Sequence, residues 1–183
     1  MSETTEIKRN RRKLVLLFSI GFVPLIIAWL IFFYFPELMP SGTTNEGQLI
    51  NPPVQASELG LEATSGKWTL LVPVQDECNQ SCEQRLYLAH QVHIALGKET
   101  ERVNRVMVDI GANTGVVARL TEQFPDQAVA KVDRASFLRL LKHGAGVYLM
   151  DPIGNIFMVY AEEKAGKPML KDIKHLLKIS NIG

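Results

Sequence analysis

The chain contains two cysteines, Cys78 and Cys82, which stand four residues apart in the segment Cys-Asn-Gln-Ser-Cys. Thiolates bind soft metal ions such as copper(I) and zinc, and paired thiols outside the cytosol also form disulfides. On a helix, residues four apart lie one turn from each other on the same face, so both sulfur atoms can reach one point. The pair therefore predicts either redox chemistry or soft-metal chemistry.

The residues around the pair predict that it lies where a strand turns into a helix. Residues 67–74 (KWTLLVPV) form an aliphatic run typical of a strand that is buried on both faces. Residues 82–96 carry apolar side chains at helical spacing. Free N–H groups and the helix dipole stabilise a thiolate at a helix N-terminus, so this position favours a reactive Cys78.

The remaining pattern predicts one α/β domain of the thioredoxin-like fold class. The expected elements are a strand at 102–109, a helix at 115–124, a short strand at 128–132, a helix capped by Asp133, strands at 147–150 and 156–160 joined by a turn at 151–155, and a last helix opened by Pro168. The order β-α-β-α-β-α-β-β-α is that of a thioredoxin-like domain, with the cysteines after its first core strand.

A metal site on two thiolates has room for a third ligand, and histidine is the commonest. The chain has four histidines: His90, His93, His143 and His175. The first two are expected two to three helical turns beyond the cysteines, and His175 is expected on the polar side of the last helix. His143 is expected to end a helix just before the strand at 147–150, in a glycine-containing loop that turns toward the cysteines. From spacing alone His143 is either a metal ligand or a helix C-cap.

Three acidic residues, Asp76, Glu77 and Glu83, stand close to the cysteines in the sequence. Negative charge raises thiol pKa values and favours a bound cation over a pair of free thiolates. The spacing is also one residue longer than the CxxC of disulfide oxidoreductases, which favours metal binding over disulfide exchange.

The segment from Gly66-Lys-Trp-Thr-Leu-Leu-Val through the cysteines, with the later run His143-Gly-Ala-Gly-Val-Tyr-Leu-Met-Asp-Pro-Ile-Gly-Asn, resembles the Sco/SenC family. Members of that family are membrane-anchored copper proteins that assist assembly of the dinuclear copper centre of cytochrome c oxidase. The resemblance implies that Cys78 and Cys82 are the cysteine ligands of a copper ion and that His143 is its histidine ligand. It covers roughly residues 66–160, together with the anchor and the last helix. Asn79 and Glu83 stand where family members usually carry proline, so the chain resembles a divergent member.

An apolar run of 22 residues at 14–35 contains no charged residue and predicts a transmembrane anchor. At about 1.5 Å per residue such a helix reaches roughly 33 Å, enough to cross a hydrocarbon core of about 30 Å. Five basic residues in the tail at 1–13 predict a cytoplasmic N-terminus. Segment 36–65 is predicted to be a stalk or linker and residues 66–183 the thioredoxin-like domain. A cleaved signal peptide is the rival interpretation, but its apolar core is usually only about 7–15 residues long.

The charge balance argues against nucleic acid as a partner. The whole chain has a net charge of +1, and residues 14–183 carry 15 bases and 17 acids. The basic residues concentrated in the tail serve membrane topology, so no basic field remains on the exported part.

Together these features predict a copper-binding assembly factor for cytochrome c oxidase, either a metallochaperone or a thiol reductant. Its cofactor would be a copper ion, and its partner a copper-containing oxidase subunit or another copper chaperone. It would be anchored in the cell inner membrane by one helix, with its domain in the periplasm. One alternative is a thiol:disulfide reductase without a metal role, although the proline that such enzymes usually carry before the strand facing the cysteines is missing before Val147. The other is a docking subunit with an inert disulfide.

Overall fold

A computed structural model describes residues 3–35, 44–61, 66–180 and 182. The chain divides between Thr44 and Asn45 into an N-terminal helical unit and a folded domain. Of the segment predicted as a stalk, residues 36–43 and 62–65 lie outside the described residues, as do Met1 and Ser2 of the predicted tail.

The N-terminal unit contains one long helix, α1 (Glu3–Tyr34), with Pro24 inside it. The stretch Asn10–Tyr34 is 25 residues long and is long and apolar enough to cross a membrane. Its apolar side chains are exposed, as expected of a helix that faces lipid. This helix confirms the predicted N-terminal apolar segment as a candidate transmembrane anchor, and it begins within the tail rather than at residue 14.

The folded domain is a six-stranded sheet flanked by helices. The strands are β1 (Gln48–Gln55), β2 (Trp68–Asp76), β3 (Val103–Ala112), β4 (Ala128–Lys131), β5 (Val147–Met150) and β6 (Asn155–Tyr160), and the helices are α2 (Gln80–Ala95), α3 (Thr114–Gln123), α4 (Arg134–Leu141) and α5 (Lys167–Ile179). The strand order is β1-β6-β5-β2-β3-β4. Strands β2, β3 and β4 are parallel, and the other pairs are antiparallel. From β2 to α5 the predicted element order is confirmed.

The two faces of the sheet bury separate apolar cores. Alternate residues of β2 point to opposite faces, so Leu70 contributes to one core and Leu71 to the other. The first core also contains Leu86 of α2 and Ile173 of α5, whereas the second contains Phe137 of α4. Strand β2 is therefore covered on both sides, which explains its continuous aliphatic sequence.

The prediction of a stalk over residues 36–65 is wrong for part of that segment. Strand β1 pairs with β6 in an antiparallel ladder, and Ile50 on β1 is buried in the second core. A 3-10 helix, Ala56–Leu59, follows β1 and buries its two apolar ends. Pro52 and Pro53 argued against a strand in the sequence, because proline is not tolerated in the middle of a sheet. Strand β1 accommodates them because it lies at the edge of the sheet.

The beginning of the folded domain is fixed by a buried carboxylate. Asp172 on α5 is buried and accepts hydrogen bonds from the backbone N–H groups of Glu46 (2.8 Å) and Gly47 (3.0 Å). It also accepts one from the Tyr160 hydroxyl (3.2 Å) on β6. These contacts tie the segment before β1 to the opposite end of the sequence.

A close backbone approach next to β5 generates a stability prediction. A Cβ atom at Gly146 would lie 2.1 Å from the carbonyl oxygen of Tyr160, so Gly146→Ala forces β5 and β6 apart. We expect this variant to lose about 1–3 kcal/mol of unfolding free energy. Gly115→Ala is the control, because its Cβ would meet only Asn113 Oδ1 at 3.5 Å. Thermal unfolding of the full-length protein in detergent, followed by near-ultraviolet circular dichroism, measures both, and equal stability of the two variants contradicts the prediction.

Candidate functional site

The two cysteines form a disulfide at the junction of β2 and α2. Their Cα atoms are 5.2 Å apart, and the side chains lie at the edge of the first core, where Cys78 is 6% and Cys82 4% exposed. The bond confirms that the two sulfur atoms meet, as their spacing predicted. The pair is therefore covalently closed and nearly covered by the protein.

The backbone that carries the pair makes an unusual turn between β2 and α2. Asp76 and Cys78 have φ values of 48° and 50°, in the left-handed region that few residues other than glycine adopt. The N–H of Cys78 donates to the carbonyl of Gln75 at 3.2 Å. Positive φ at such residues costs on the order of 1 kcal/mol or more, and residues of this kind cluster at functional sites.

Asn79 is the N-cap of α2 and positions Cys82. Its backbone is extended, and its side-chain oxygen accepts a hydrogen bond from the N–H of Cys82 at 3.0 Å. The helix therefore begins at Gln80, two residues before the predicted start, and Cys82 occupies its first turn. Asparagine is among the preferred N-cap residues, and this preference was the sequence signal for the earlier start.

Both cysteines line a cavity of about 760 Å³. Acidic residues of the turn, the side chain of Arg85 on α2 and apolar residues of β2 and β3 complete much of its wall. Leu141, the last residue of α4, and Ala145, four residues further along, also line it. The disulfide therefore borders a cavity as well as the packed side chains of the first core.

His143 is not part of this cavity lining. It follows α4 and is partly buried, and its backbone N–H donates to the carbonyl of Leu140 at 3.0 Å. The residues two positions before and after it, Leu141 and Ala145, line the cavity, but the histidine between them does not. Within residues 3–35, 44–61, 66–180 and 182, no group of three or more His, Cys, Asp or Glu side chains is arranged to hold a metal ion. The structure brings the two cysteines together and leaves His143 as a predicted ligand.

The segment that carries His143 is held in place by Tyr148 of β5. The Tyr148 hydroxyl donates to the carbonyl of Gly144 and, at 3.5 Å, to that of Leu140. Burial raises the pKa of Tyr148, while the charge of Arg85 acts in the opposite direction. The hydroxyl thus stays protonated and remains a hydrogen-bond donor to this segment.

A polar network on the surface of α2, not predicted from the sequence, lies beside the disulfide. Arg85 Nη1 donates to the hydroxyl of Ser81 at 3.3 Å, and that hydroxyl donates to the carboxylate of Glu162. The Nε atom of Arg85 is buried and has no hydrogen-bond partner among the described residues. The i, i+4 spacing of Ser81 and Arg85 was visible in the sequence, but Glu162 is distant in the chain.

Two of the three acids near the cysteines are paired with arginines. Glu83 lies 2.6 Å from Arg119 of α3, and Asp76 lies 3.5 Å from Arg134 of α4. Both pairs are substantially exposed, so each contributes little to stability. They do reduce the negative charge that the sequence alone indicated around the thiols.

Residues 68–180 match the model of a family described as "Transmembrane-like, thioredoxin-like, C-terminal domain". No curated protein matches the chain.

Several solved structures are similar to the chain at low identity. Copper-bound ScoI of Bradyrhizobium japonicum is 15% identical, with 73% of this chain and 99% of that chain covered and a TM-score of 0.46. The thioredoxin domain of a thiol-disulfide oxidoreductase from Bacteroides vulgatus is 13% identical, with 75% and 98% covered and a TM-score of 0.44. A thiol:disulfide interchange protein from Bacteroides sp. is 14% identical, with 74% and 91% covered and a TM-score of 0.44. These values are too low to assign a function, and the fold is established by the family match together with the sheet topology.

The cap at Asn79 generates a prediction about the site. Asn79→Ala leaves the N–H of Cys82 without its acceptor, so we expect a loss of about 1 kcal/mol of unfolding free energy. Asn79→Asp is the matched control, because a carboxylate accepts the same hydrogen bond and should retain most of the stability. Thermal unfolding of the oxidised full-length protein measures both, and equal losses in the two variants would show that the cap does not hold α2 in place.

Proposed function

The chain belongs to the transmembrane-like, thioredoxin-like C-terminal domain family, and on that premise we propose that it is a membrane-anchored thiol redox protein. In this proposal the Cys78–Cys82 pair alternates between a disulfide and a dithiol. The observation that carries it is the disulfide at the N-terminus of α2, where it lines a cavity of about 760 Å³. An external dithiol supplies two electrons and two protons. The S–S bond breaks, both cysteines become thiols, and the reductant becomes a disulfide.

A purely structural role explains this disulfide poorly. A crosslink between residues four apart closes a very short loop, so it removes little conformational entropy from the unfolded chain. The helix N-terminus, in contrast, provides N–H groups and a dipole that favour a thiolate. The cost of positive φ at Cys78 also suits a functional turn better than a structural one.

We further propose that the reduced pair binds copper(I) as cargo, with His143 as the third ligand. The disulfide form does not fit copper, because its sulfur atoms are bonded to each other and the described residues offer no three-donor cluster. Reduction provides two soft thiolates, the donors that copper(I) prefers. The segment at 141–145, whose two ends line the cavity, supports His143 as the third donor. Reduction would therefore be the step that permits loading.

The resemblance to the Sco/SenC family supports a proposal about which protein receives the copper. We propose a copper-containing subunit of cytochrome c oxidase as the acceptor, or another copper chaperone as the exchange partner. The basic tail and apolar helix support an inner-membrane anchor with the domain in the periplasm, where disulfides persist. Nucleic acid is not a proposed partner, since the exported part has no excess of basic residues.

The redox proposal predicts a reversible two-electron transition of the full-length protein in detergent. In graded dithiothreitol buffers, Cys78 and Cys82 should become alkylatable together while the domain remains folded. We expect a midpoint above about −300 mV, since structural disulfides usually lie below that value. Gel shift after alkylation, with circular dichroism on the same samples, measures the transition. Reduction only upon unfolding would instead identify an inert disulfide and favour the docking-subunit alternative.

The copper proposal predicts tight one-to-one binding of copper(I) by the reduced protein. Competition with a chromophoric chelator should show that Cys78→Ser abolishes tight binding and that His143→Ala weakens it by about tenfold or more. His175→Ala is the matched control, because His175 is exposed on α5 and should not alter affinity. Affinity no higher than that of an unstructured dithiol peptide would exclude the copper role. If the protein exchanges disulfides and His143→Ala leaves its copper(I) affinity unchanged, the thiol reductase without a metal role is the function that remains.

A further inference from the structure

A buried guanidinium lies on the α2 side of the sheet, outside the cysteine site. Arg105 of β3 is 3% exposed, between Val103 and Met107, which belong to the first core. Its Nε and Nη1 atoms are buried and have no hydrogen-bond partner among the described residues. Burial lowers the pKa of Arg105, whereas the charge of the exposed Asp126 acts in the opposite direction.

Gln127, the residue before β4, is a second buried residue whose side chain lacks hydrogen-bond partners within the described part of the chain. Val106 of β3 pairs with Ala128, the first residue of β4, so Arg105 and Gln127 each stand one position before this pair. Gln127 is 5% exposed, and both its amide nitrogen and its amide oxygen lack a partner within the described part of the chain. Two buried side chains therefore leave hydrogen-bonding atoms unused.

Helix α2 contributes a histidine, His90, whose ring nitrogen Nδ1 also lacks a hydrogen-bond partner among the described residues. His90 packs edge-on against Phe124, with ring centroids 5.9 Å apart, and its Nδ1 is buried without a partner among the described residues. The backbone carbonyl of Phe124 accepts a hydrogen bond from the backbone N–H of Gln127 at 3.2 Å, so Phe124 connects His90 to the segment that carries Gln127.

The titratable groups that act on this cluster are His93 and Asp126. His93, one turn beyond His90, has its Nε2 2.7 Å from the carbonyl of Val103. Burial, the largest cause, and the charges of Arg105 and His90 lower the pKa of His93, whereas its backbone hydrogen bonds raise it. Asp126 is the acid whose charge acts on Arg105, but it is exposed and forms no salt bridge with Arg105 in the described structure.

An unpaired buried charge costs several kcal/mol, and an unpaired buried amide adds to that cost. A ligand that brings oxygen acceptors to Arg105, to the Gln127 amide nitrogen and to His90 Nδ1 removes the penalty. We propose that Arg105, Gln127 and His90 form a binding site for a small free oxyanion, best suited to hydrogen phosphate. Its unprotonated oxygens accept from the guanidinium, and its P–O–H group donates to the amide oxygen of Gln127, which sulfate cannot do at neutral pH. The site is independent of the cysteine pair and of the function proposed for it.

The test uses the full-length protein in phosphate-free detergent buffer at pH 7. Inorganic phosphate is titrated at constant ionic strength against chloride, and the thermal midpoint is recorded together with the phosphorus NMR line width of phosphate. We expect a saturable rise in midpoint of at least about 2 °C and line broadening with the unaltered chain, and a smaller response to sulfate. Arg119→Gln is the control, because Arg119 is an exposed, ion-paired arginine on α3 and should retain the full response.

Arg105→Met should abolish the phosphate response, and its stability in chloride should equal or exceed that of the unaltered chain, because an uncompensated charge is removed. Gln127→Leu, which keeps the side-chain volume, should weaken phosphate binding and provides the readout if Arg105→Met does not fold. An equal rise in all variants would reflect the general stabilisation by phosphate salts and overturn the proposal. So would the lack of any saturable response, or a response only to micelles that contain an anionic phospholipid.

Discussion

Burial of β2 on both faces is the constraint on which the rest of the domain depends. The strand lies between β5 and β3, and its alternate side chains enter the two separate cores. It cannot shift by one residue without reversing which side chains enter each core. The position at which β2 ends is therefore fixed, and so is the place where the chain turns toward α2. The end of β2 therefore determines where the cysteine pair lies.

The turn after β2 links the packing of the core to the chemistry of the thiols. Asn79 fixes the first turn of α2 through the N–H of Cys82, and Tyr148 of the neighbouring strand β5 holds the segment after α4. Both walls of the cavity are thus attached to strands that pair directly with each other.

Much of the fold was predictable because apolar runs report burial directly. Strand β5 has the predicted bounds, since each of its four residues is buried. Strand β1 was missed because a mostly exposed edge strand with two prolines has the composition of a linker. The two sulfurs meet, as their spacing indicated, but Cys78 lies in a turn with positive φ before α2 and not on the helix itself. The placement of His143 outside the cavity lining, and the neighbourhood of Arg105 and Gln127, depend on contacts between residues far apart in the sequence, which periodicity does not encode.

The two edge strands of the sheet affect how readily neighbouring copies of the protein pair with each other. A protein tethered to a membrane is confined to two dimensions, so neighbouring copies meet far more often than they would in solution. An exposed strand edge can form backbone hydrogen bonds with the strand edge of a neighbouring copy, and repeated pairing of this kind forms polymers. One edge of this sheet is β1, where Pro52 and Pro53 have no N–H to donate, and the other is β4, which is only four residues long and ends in Lys131. Both edge strands are therefore poor templates for backbone pairing between neighbouring copies.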